Sequence, residues 1–285
     1  MVVCPSCSFL NKKTTLDDEV LYCDNCKHYV YNKKYPREKL FGHENVGDNQ
    51  VETRSKQFDK IFSFITRKSK SPEFVEIGAG FGGYINFANQ LGYSCTAVDI
   101  DEHFKNRYLE AGIDFIQHDA DNFSIKISQN VVIMSHIIEH LYLPKNVLSN
   151  ILNENIEYLI VEVPISNGNI FKLSKLLLRF KITFVWNRLW QKNSNSPHLH
   201  YFSDYSIMKL FKNHNLKIEK TFRSRFSTLK GSFKRTKATE SFLISILSVI
   251  VIQFLEFLNY ALRTSENKVY IVKNHNYKKD TNKDI

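Results

Sequence analysis

Between Glu73 and Pro164 short apolar runs alternate regularly with amphipathic stretches, and this alternation constrains the fold more than any other feature of the chain. The segments YINFANQLG and HFKNRYLEAG read as helices, each closed by a glycine. Five apolar runs read as strands, at residues 73–77, 93–99, 114–118, 130–135 and 157–164. Two later runs, 216–222 and 268–274, raise the predicted count to seven. Strands and helices in this order predict an α/β fold around a doubly wound parallel sheet.

The first predicted strand leads directly into a glycine-rich segment, EIGAGFGGY. Glycines at this place let the backbone turn sharply and approach a ligand closely. Their spacing also fits a nicotinamide dinucleotide fingerprint, which is a weak signal when it stands alone. Glu76, just before the glycines, suits the amine of a cationic cofactor, and Asp119 with Ala120 suits an adenine ring. A nicotinamide enzyme has no special use for either feature, so a cationic cofactor is favoured.

The motifs EIGAGFGGY, AVDID, QHDAD and SHIIEHL, in this order, resemble the four successive motifs of class I S-adenosylmethionine (SAM)-dependent methyltransferases. The later segments VEVP and SPHLHYFSDYSIMKLF are similar to the fifth strand and to the H-x-x-x-F-S segment of small-molecule and sugar methyltransferases. The resemblance covers residues 70–222, with a return at 268–274. It implies a Rossmann-like, seven-stranded methyltransferase sheet with SAM at the carboxyl ends of the strands.

The resemblance also implies a role for individual positions. The cofactor-binding residues would be Glu76, Gly78, Ala79, Gly80 and Gly82 at the methionine part, Asp99 and Ile100 at the ribose, Asp119 and Ala120 at the adenine, and Ser135 near the methyl group.

The segment HIIEH, from His136 to His140, admits two interpretations. It matches H-x-x-E-H, which sets two zinc-binding histidines one helical turn apart in some metallopeptidases. That arrangement needs an established helix, whereas here the motif directly follows a buried strand, so we expect no peptidase centre. In a methyltransferase the protein aligns the nucleophile and removes its proton. The general-base candidates are His136, Glu139, His140 and His200, with His198 as a further choice, and each of them could instead only shape the pocket.

Four of the five cysteines lie in the first 26 residues, as C-P-S-C and C-D-N-C pairs with fifteen residues between them. This spacing predicts a zinc ribbon in which Cys4, Cys7, Cys23 and Cys26 hold a structural Zn²⁺ with no open coordination position. Two disulfides are the alternative, which a cytoplasmic protein would seldom keep.

The C-terminal third is both basic and apolar. Between residues 171 and 240 sixteen Lys or Arg stand against three Asp or Glu, within a net charge of +10. Such a region favours an anionic partner, or is only a solvated basic face. The apolar run 242–258 is interrupted by polar residues, which disfavours a simple membrane span. A buried helix, a dimer face and an interfacial membrane anchor remain as alternatives.

These features divide the chain into five predicted segments. They are a zinc-ribbon-like lobe (1–35), a linker with an N-terminal helix (36–70), a SAM-binding core (71–165), a lid and substrate region with the C-terminal helix and last strands (166–275), and a disordered tail (276–285). The N-terminus has no recognisable signal peptide, so the cytoplasm is the expected location, with the inner face of the membrane as the second choice.

The predicted function is methyl transfer to a small molecule, and the H-x-x-x-F-S segment favours a sugar or a lipid-linked glycan precursor. A ribosomal RNA or tRNA methyltransferase is the first alternative, because a zinc ribbon precedes some such enzymes. Against it, the chain has no Asn-Pro-Pro-Tyr-like motif for a base amine, so nucleic acid is the less favoured partner. A non-catalytic cofactor-binding scaffold is the second alternative. Membrane-surface contact and a homodimer are the further partners considered.

Overall fold

The structure is a computed structural model that describes residues 3–9, 13–32, 49–192, 194–224 and 242–278. Its strands are β1 (Lys13–Thr14), β2 (Val20–Cys23), β3 (His28–Tyr31), β4 (Phe74–Ile77), β5 (Cys95–Asp99), β6 (Asp114–Gln117), β7 (Val131–Ser135), β8 (Tyr158–Pro164), β9 (His200–Tyr201), β10 (Leu216–Ser224) and β11 (Asn267–Asn274). Its helices are α1 (Asn49–Lys68), α2 (Gly83–Gln90), α3 (Lys105–Glu110), α4 (Pro144–Leu152), α5 (Asn169–Leu178), α6 (Phe184–Leu189), α7 (Asp204–Lys212) and α8 (Phe242–Ala261). Residues 36–48 of the predicted linker (36–70) and residues 279–285 of the predicted tail (276–285) lie outside the described residues.

Seven strands form the central sheet, in the order β10-β11-β8-β7-β4-β5-β6. Strands β4 to β8 run parallel, and β11 lies antiparallel between β8 and β10. Each predicted strand is present to within two residues, so the predicted seven-stranded α/β fold is confirmed. The sheet is mixed rather than purely parallel because β11 enters it in the reverse direction. Gly92 and Gly112 follow α2 and α3 with φ of +84° and +75°, as predicted for left-handed caps.

Both faces of the sheet are covered by helices, which explains the apolar character of its strands. Side chains of α1 and α2 pack on one face together with those of β4, β5 and β7. Side chains of α4 and α7 pack on the other face. Strand β8 is buried at every position, as expected for a strand near the centre of a doubly covered sheet. Ionisable groups at the ends of such strands therefore lie close to an interior without water.

A second, four-stranded sheet joins the cysteine-rich N-terminus to a segment nearly two hundred residues later. Its order is β1-β2-β3-β9, with Tyr29 paired to Tyr201 and Val30 paired to His200. Aromatic side chains from both parts form one shared core. The predicted boundary at residue 35 therefore separates two segments, 1–35 and 166–275, that share a sheet.

Helix α8 buries one face and exposes the other. Val249, Leu255 and Asn259 are buried, and Leu255 belongs to the same cluster as Phe171 of α5. The exposed apolar side chains of α8 include Phe242, Ile246, Ile250, Val251, Phe254, Phe257 and Tyr260. Among the described residues no helix has both the length and the hydropathy needed to cross a bilayer. Packing against α5 thus accounts for one side of α8 and leaves an apolar stripe outside.

Candidate functional site

The glycine-rich segment forms a tight turn between β4 and α2. Gly78, Gly80 and Gly82 have φ of +67°, +49° and +75°, a region that side chains rarely adopt. A Cβ at Gly78 would lie 2.6 Å from Cδ1 of Ile137, and one at Gly82 would lie 2.5 Å from the hydroxyl of Tyr108. A Cβ at Gly80 would meet no atom of the described residues within 4 Å. The turn is therefore tightly packed at its two ends and open at Gly80, where a ligand can approach the backbone.

Asp99, the last residue of β5, holds the middle of this turn. Its Oδ2 accepts a hydrogen bond from the Gly80 N–H at 2.7 Å, and its Oδ1 accepts one from the Asp101 N–H at 2.9 Å. Burial raises the pKa of Asp99, although these backbone hydrogen bonds oppose the rise. The Tyr108 hydroxyl donates to the Gly80 carbonyl at 2.7 Å. Asp99, the residue predicted to bind the ribose, is therefore itself hydrogen-bonded to the glycine turn.

The other predicted ribose and adenine residues follow the ends of β5 and β6. The Ile100 carbonyl accepts a hydrogen bond from the Gln117 side chain at 3.2 Å. Asp119 begins a short 3-10 turn, in which its Oδ1 accepts the Asp121 N–H at 2.9 Å. Ala120 is half-buried against the core. The parallel strands bring these positions to the same edge of the sheet as the glycine turn.

Glu76 of β4 is a buried carboxyl group with 2% exposure. Its Oε2 accepts a hydrogen bond at 2.9 Å from the N–H of Ile85, near the start of α2. Burial raises the pKa of Glu76 to about 8. A nearby cation favours the ionised form of such a group. The setting of Glu76 therefore fits the acid that the sequence assigns to a cationic cofactor, and the same side chain fixes the start of α2.

A charged network that the sequence analysis did not predict centres on Glu162 of β8. Its Oε2 pairs with Arg54 of α1 and accepts hydrogen bonds from the Tyr84 hydroxyl at 2.8 Å and the Ser135 hydroxyl at 3.2 Å. Burial would raise the pKa of Glu162, but the charge of Arg54 and the imidazole of His136 hold it well below its usual value. Ser135, predicted to lie near the transferred methyl group, is therefore attached to a paired, ionised carboxylate.

One signal for this network is present in the sequence. Glu162 is the single charged side chain in the buried run YLIVEVP, and a buried carboxylate needs a partner. The identity of the partner is not readable in the same way. Arg54 lies 108 positions earlier, on a helix whose pairing with β8 only the folded chain reveals.

His136 and Glu139 form the polar centre of the loop after β7. His136 has φ of +54°, which is uncommon for a residue with a side chain, and its N–H donates to the Glu162 carbonyl at 2.9 Å. Its Nδ1 lies 3.2 Å from Oε1 of Glu139, which is fully buried, whereas the His136 side chain is 37% exposed. Burial would lower the pKa of His136, but Glu139 and Glu162 raise it to about 9. Residues 136–140 form a bend and a turn, so the helix that a peptidase motif needs is absent from this loop.

The remaining histidine candidates are held against the loop by local hydrogen bonds. His140 Nδ1 lies 2.9 Å from the Pro197 carbonyl. His200 is 2% exposed, donates from Nε2 to the Leu141 carbonyl at 2.8 Å, and has its ring 5.1 Å from that of His28 in the N-terminal lobe. Burial holds the pKa of His200 well below its usual value. His136 is thus the histidine of this group that combines partial exposure with a carboxylate partner.

The four N-terminal cysteines come together around one point. The Sγ atoms of Cys4, Cys7, Cys23 and Cys26 all lie within 4.8 Å of one another. The distances between Cys4 and Cys26 and between Cys7 and Cys23 are 3.4 Å and 3.6 Å, and all four are free thiols rather than disulfides. Four thiolates so placed can hold a tetrahedral ion whose metal–sulfur bonds are about 2.3 Å long. The donor set therefore fits the zinc that the spacing predicts.

The cysteine lobe is fastened to the rest of the chain by direct polar contacts. The Ser203 hydroxyl donates to the Cys26 carbonyl at 2.9 Å and also accepts the Ser206 N–H at the start of α7. The Asn213 side chain donates to the Ser6 carbonyl at 3.1 Å. Since Ser203 closes the predicted H-x-x-x-F-S segment, one side chain links the cysteine loop, that segment and α7.

The strand order, the glycine turn and the acidic residues at the ends of the neighbouring strands define a class I SAM-dependent methyltransferase. A family model described as a methyltransferase domain matches residues 51–221, which is more than half of the chain. The chain belongs to this methyltransferase family. A comparison with curated proteins found no match.

Solved structures share the fold at low sequence identity. Magnesium protoporphyrin IX methyltransferase from Synechocystis, with bound SAH, is 12% identical with a TM-score of 0.50, over 83% of this chain and 92% of that one. Coclaurine N-methyltransferase bound to N-methylheliamine and SAH is 11% identical with a TM-score of 0.50, over 82% and 74%. A SAM-dependent methyltransferase from Thermotoga maritima is 14% identical with a TM-score of 0.48, over 79% and 94%. At these identities the likeness to the first two structures shows the fold alone.

Proposed function

We propose that this methyltransferase acts on a small-molecule acceptor, namely a sugar or a lipid-linked glycan precursor. The observation that carries the proposal is the polar loop at the end of β7, where Ser135 and His136 lie next to the glycine turn and the buried Glu139 supports His136. The close approach of Gly78 to Ile137 joins the two loops directly. The hydroxyl of Ser135 and the imidazole of His136 suit an acceptor rich in hydroxyl groups, which needs hydrogen-bond partners at several points.

We also propose that the cofactor-binding residues predicted from the sequence hold SAM at the positions described above. SAM supplies a methyl group that is already activated on a sulfonium. Gly80 leaves open space where the cofactor could approach, Asp99 and Ile100 would bind the ribose, and Glu76 would pair with the amine. Asp119 and Ala120 would hold the adenine.

We assign the acceptor contact to His136. A hydrogen bond from Nδ1 to Glu139 orients the ring and leaves Nε2 without a hydrogen bond to the described residues, 3.5 Å from Oε1 of Glu162. With its pKa raised to about 9, His136 is protonated at neutral pH, where it donates a hydrogen bond to an acceptor hydroxyl, and its neutral form, which predominates above that pH, can take a proton from the hydroxyl. Glu139 is then a positioning residue, because it acts through His136.

The burial of the N-terminal tyrosines disfavours the RNA alternative. Single-stranded RNA is bound largely by stacking of its bases on exposed aromatic rings. Tyr29 and Tyr31 are only 6% and 4% exposed, because they pack against Phe171 and Trp190. The lobe thus uses these rings to bind the rest of its own chain.

A pair of glycine variants tests the cofactor site. Gly80 and Gly92 both have positive φ, and a Cβ at either would meet no atom of the described residues within 4 Å. Gly80→Ala and Gly92→Ala are therefore expected to lower the free energy of unfolding equally, by roughly 1–2 kcal/mol. Calorimetry with SAM should show at least a tenfold loss of affinity for Gly80→Ala, about 1.4 kcal/mol, and none for Gly92→Ala. Equal affinities in the two variants would refute the placement of the cofactor.

The acceptor is tested by comparing metabolites and surface glycans of cells with and without the protein. A glycan or sugar that loses one methyl group in the deletion strain, and regains it with the wild-type chain but not with His136→Gln, supports the proposal. Loss of a methyl group from ribosomal RNA or tRNA instead would establish the RNA alternative. If the deletion strain shows no change in methylation although the purified chain binds SAM, the scaffold alternative would be established.

We also propose that the four cysteines hold a structural Zn²⁺. The short thiol distances and the closed, fully protein-supplied donor set support this proposal. The ion would stabilise a lobe that has little core of its own and would hold the Cys26 carbonyl against Ser203. Metal analysis of the purified chain tests it, and a zinc content unchanged by Cys4→Ser would contradict it.

For the membrane-surface contact considered from the sequence, we propose an anionic lipid surface. Residues 179–184, with the sequence RFKITF, run from the end of α5 into the start of α6, and they expose Arg179 and Lys181 beside three apolar side chains. The exposed stripe of α8 adds Phe254, Phe257 and Tyr260, on a helix that packs against α5. Basic residues beside exposed aromatic ones are typical of segments that rest on anionic bilayers. A lipid-linked acceptor would be met at the same surface.

Vesicle flotation tests this contact. Vesicles containing phosphatidylglycerol should bind the wild-type chain, and pure phosphatidylcholine vesicles should bind it much more weakly. The double variant Phe254→Ser/Phe257→Ser should lose binding, whereas the matched variant Leu91→Ser/Leu109→Ser, whose leucines are exposed elsewhere, should keep it. If the first double variant instead converts a dimer into a monomer without changing flotation, the stripe is a dimer face.

A further inference from the structure

Glu139, His140 and His198 bring three metal-binding atoms together outside the cysteine lobe. One atom from each side chain lies within 4.8 Å of the atoms offered by the other two. The first two residues follow β7, and the third comes from the segment before β9. Glu139 is fully buried, His198 is 8% exposed and His140 is half-buried. The cluster is thus built by tertiary contact between two distant segments.

Each side chain uses one of its two polar atoms locally, and this leaves the other available. His140 Nδ1 lies 2.9 Å from the Pro197 carbonyl, so this nitrogen carries the proton and Nε2 carries a lone pair. Glu139 Oε1 lies 3.2 Å from His136 Nδ1. His198 Nε2 lies 3.1 Å from Nε2 of the Gln191 amide. With this amide turned by 180°, its oxygen accepts the N–H of His198 Nε2 and the lone pair of the ring lies on Nδ1.

The remaining atoms of two of these residues are buried without partners. Oε2 of Glu139 and Nδ1 of His198 have no hydrogen-bond partner among the described residues. A buried polar atom without a partner is destabilising, so such atoms normally have a protein, water or ion partner. Both atoms belong to the three side chains whose metal-binding atoms lie within 4.8 Å of one another, which indicates a shared ligand rather than two independent defects.

The geometry is held in place before any ion binds. The N–H groups of Leu199 and His200 donate to the Glu139 carbonyl at 2.8 Å and 3.0 Å. The Ser196 hydroxyl lies 3.2 Å from His140 Nδ1. A metal-binding histidine commonly donates its other N–H to a carbonyl or carboxylate, and a metal-binding carboxylate is itself hydrogen-bonded. His140 with Pro197, and Glu139 with His136, follow this arrangement.

We propose that Glu139, His140 and His198 bind a divalent transition metal ion of the Zn²⁺ type, separate from the ion of the four cysteines. Two imidazoles and one carboxylate are the donor set of many open zinc and iron sites. With three protein ligands the ion keeps a coordination position for a water molecule or an oxygen atom of a ligand. It also fastens the H-x-x-x-F-S segment to the loop that carries His136.

The ligands of this ion differ from those expected in a peptidase. In the H-x-x-E-H arrangement the two histidines of the motif bind the metal and the glutamate does not. Here Glu139 and His140 are ligands, His198 replaces the first histidine, and His136 supports Glu139 through a hydrogen bond.

Cobalt substitution separates this site from the cysteine site. The full chain is produced in minimal medium with Co²⁺ in place of Zn²⁺, and the bound metal is counted by mass spectrometry. We expect two cobalt ions per chain, of which only the cysteine-bound one gives a thiolate-to-cobalt charge-transfer band. Glu139→Gln and His198→Gln should each retain that band and lose one cobalt ion. The matched variant His200→Gln, which changes a buried histidine two positions away, should retain both.

The wild-type chain gives an independent measurement if a variant does not fold. X-ray absorption at the zinc edge should show imidazole nitrogen together with sulfur around the metal. One metal ion per wild-type chain with a purely sulfur shell would overturn the proposal. So would a folded Glu139→Gln or His198→Gln variant that keeps two metal ions.

Discussion

Two regions of this molecule bury polar side chains in opposite ways. Around Glu162 the charge is matched, because Arg54, Tyr84 and Ser135 all contact one carboxylate. Around the junction with the N-terminal lobe the buried groups are neutral imidazoles, among them His200, packed against aromatic rings. The first region therefore contains a charged carboxylate with charged and polar partners. The second is an apolar core that includes neutral imidazole rings.

The difference shows which region tolerates change. A buried ion pair leaves an uncompensated charge when one partner is removed, whereas a buried neutral ring leaves at most an unpaired polar atom. The Glu162 network also contacts the loop that carries His136, so a change there reaches the proposed acceptor site. Ion pairs at the lobe junction lie at its rim and contribute less.

The largest expected effect comes from removing the charge partner of Glu162. Arg54→Met should lower the free energy of unfolding by about 3–5 kcal/mol, because the buried carboxylate then loses its guanidinium partner and keeps only His136 beside it. Urea unfolding at neutral pH measures this. The double variant Arg54→Met/Glu162→Gln should recover most of the loss. Arg67→Met, on the exposed end of the same helix, is the matched control and should change little.

The same pair predicts a dependence on pH. The pKa of Glu162 is well below 4.5 in the folded chain, so its stabilising contribution is present above pH 4.5 and is lost as the pH falls further. The slope of wild-type stability against pH in the acid range should therefore be steeper than that of Glu162→Gln. Parallel curves would mean that the carboxylate is not paired.

An intermediate effect is expected at Glu76, whose pKa is shifted in the other direction. Because burial raises this pKa from 4.5 to about 8, the cofactor-free chain should lose stability as the pH rises through that window. Glu76→Gln should remove this loss, which is on the order of a few kcal/mol, and should also weaken SAM binding. Thermal melts across this pH range with and without SAM measure both effects. A Glu76→Gln chain that still loses stability with the wild-type slope contradicts the assignment.

The smallest effect is expected at the rim of the lobe junction. Lys192 lies 2.6 Å from Asp17 and 2.9 Å from Glu19, and Trp186 also donates to Asp17. Lys192→Met should lower the free energy of unfolding by only about 1 kcal/mol, since Asp17 keeps its indole partner. Lys105→Met, which removes an exposed pair with Glu102, should give no measurable change. A loss at Lys192 as large as that at Arg54 would remove the contrast between the two regions.

Much of the fold was predictable because its signals are local. Apolar runs of strand length, and glycines that must adopt positive φ, occur in order along the chain. The residues predicted to bind the cofactor could be chosen because they lie at the ends of these predicted strands. The cysteine spacing likewise indicates its own cluster. The Glu162 network was not predictable, because Arg54 and β8 meet only after α1 packs on the sheet.

The sequence by itself determined the methyltransferase sheet, the glycine turn and the grouping of the four cysteines. Periodicity and short-range spacing are enough to encode those features. Only the tertiary structure decided which histidine lies beside which carboxylate. Pairing of β3 with β9 and the hydrogen bonds from Leu199 and His200 to Glu139 place His198 next to the H-x-x-E-H loop. Contacts of that kind depend on where distant segments cross, and no local pattern in the chain specifies the crossing.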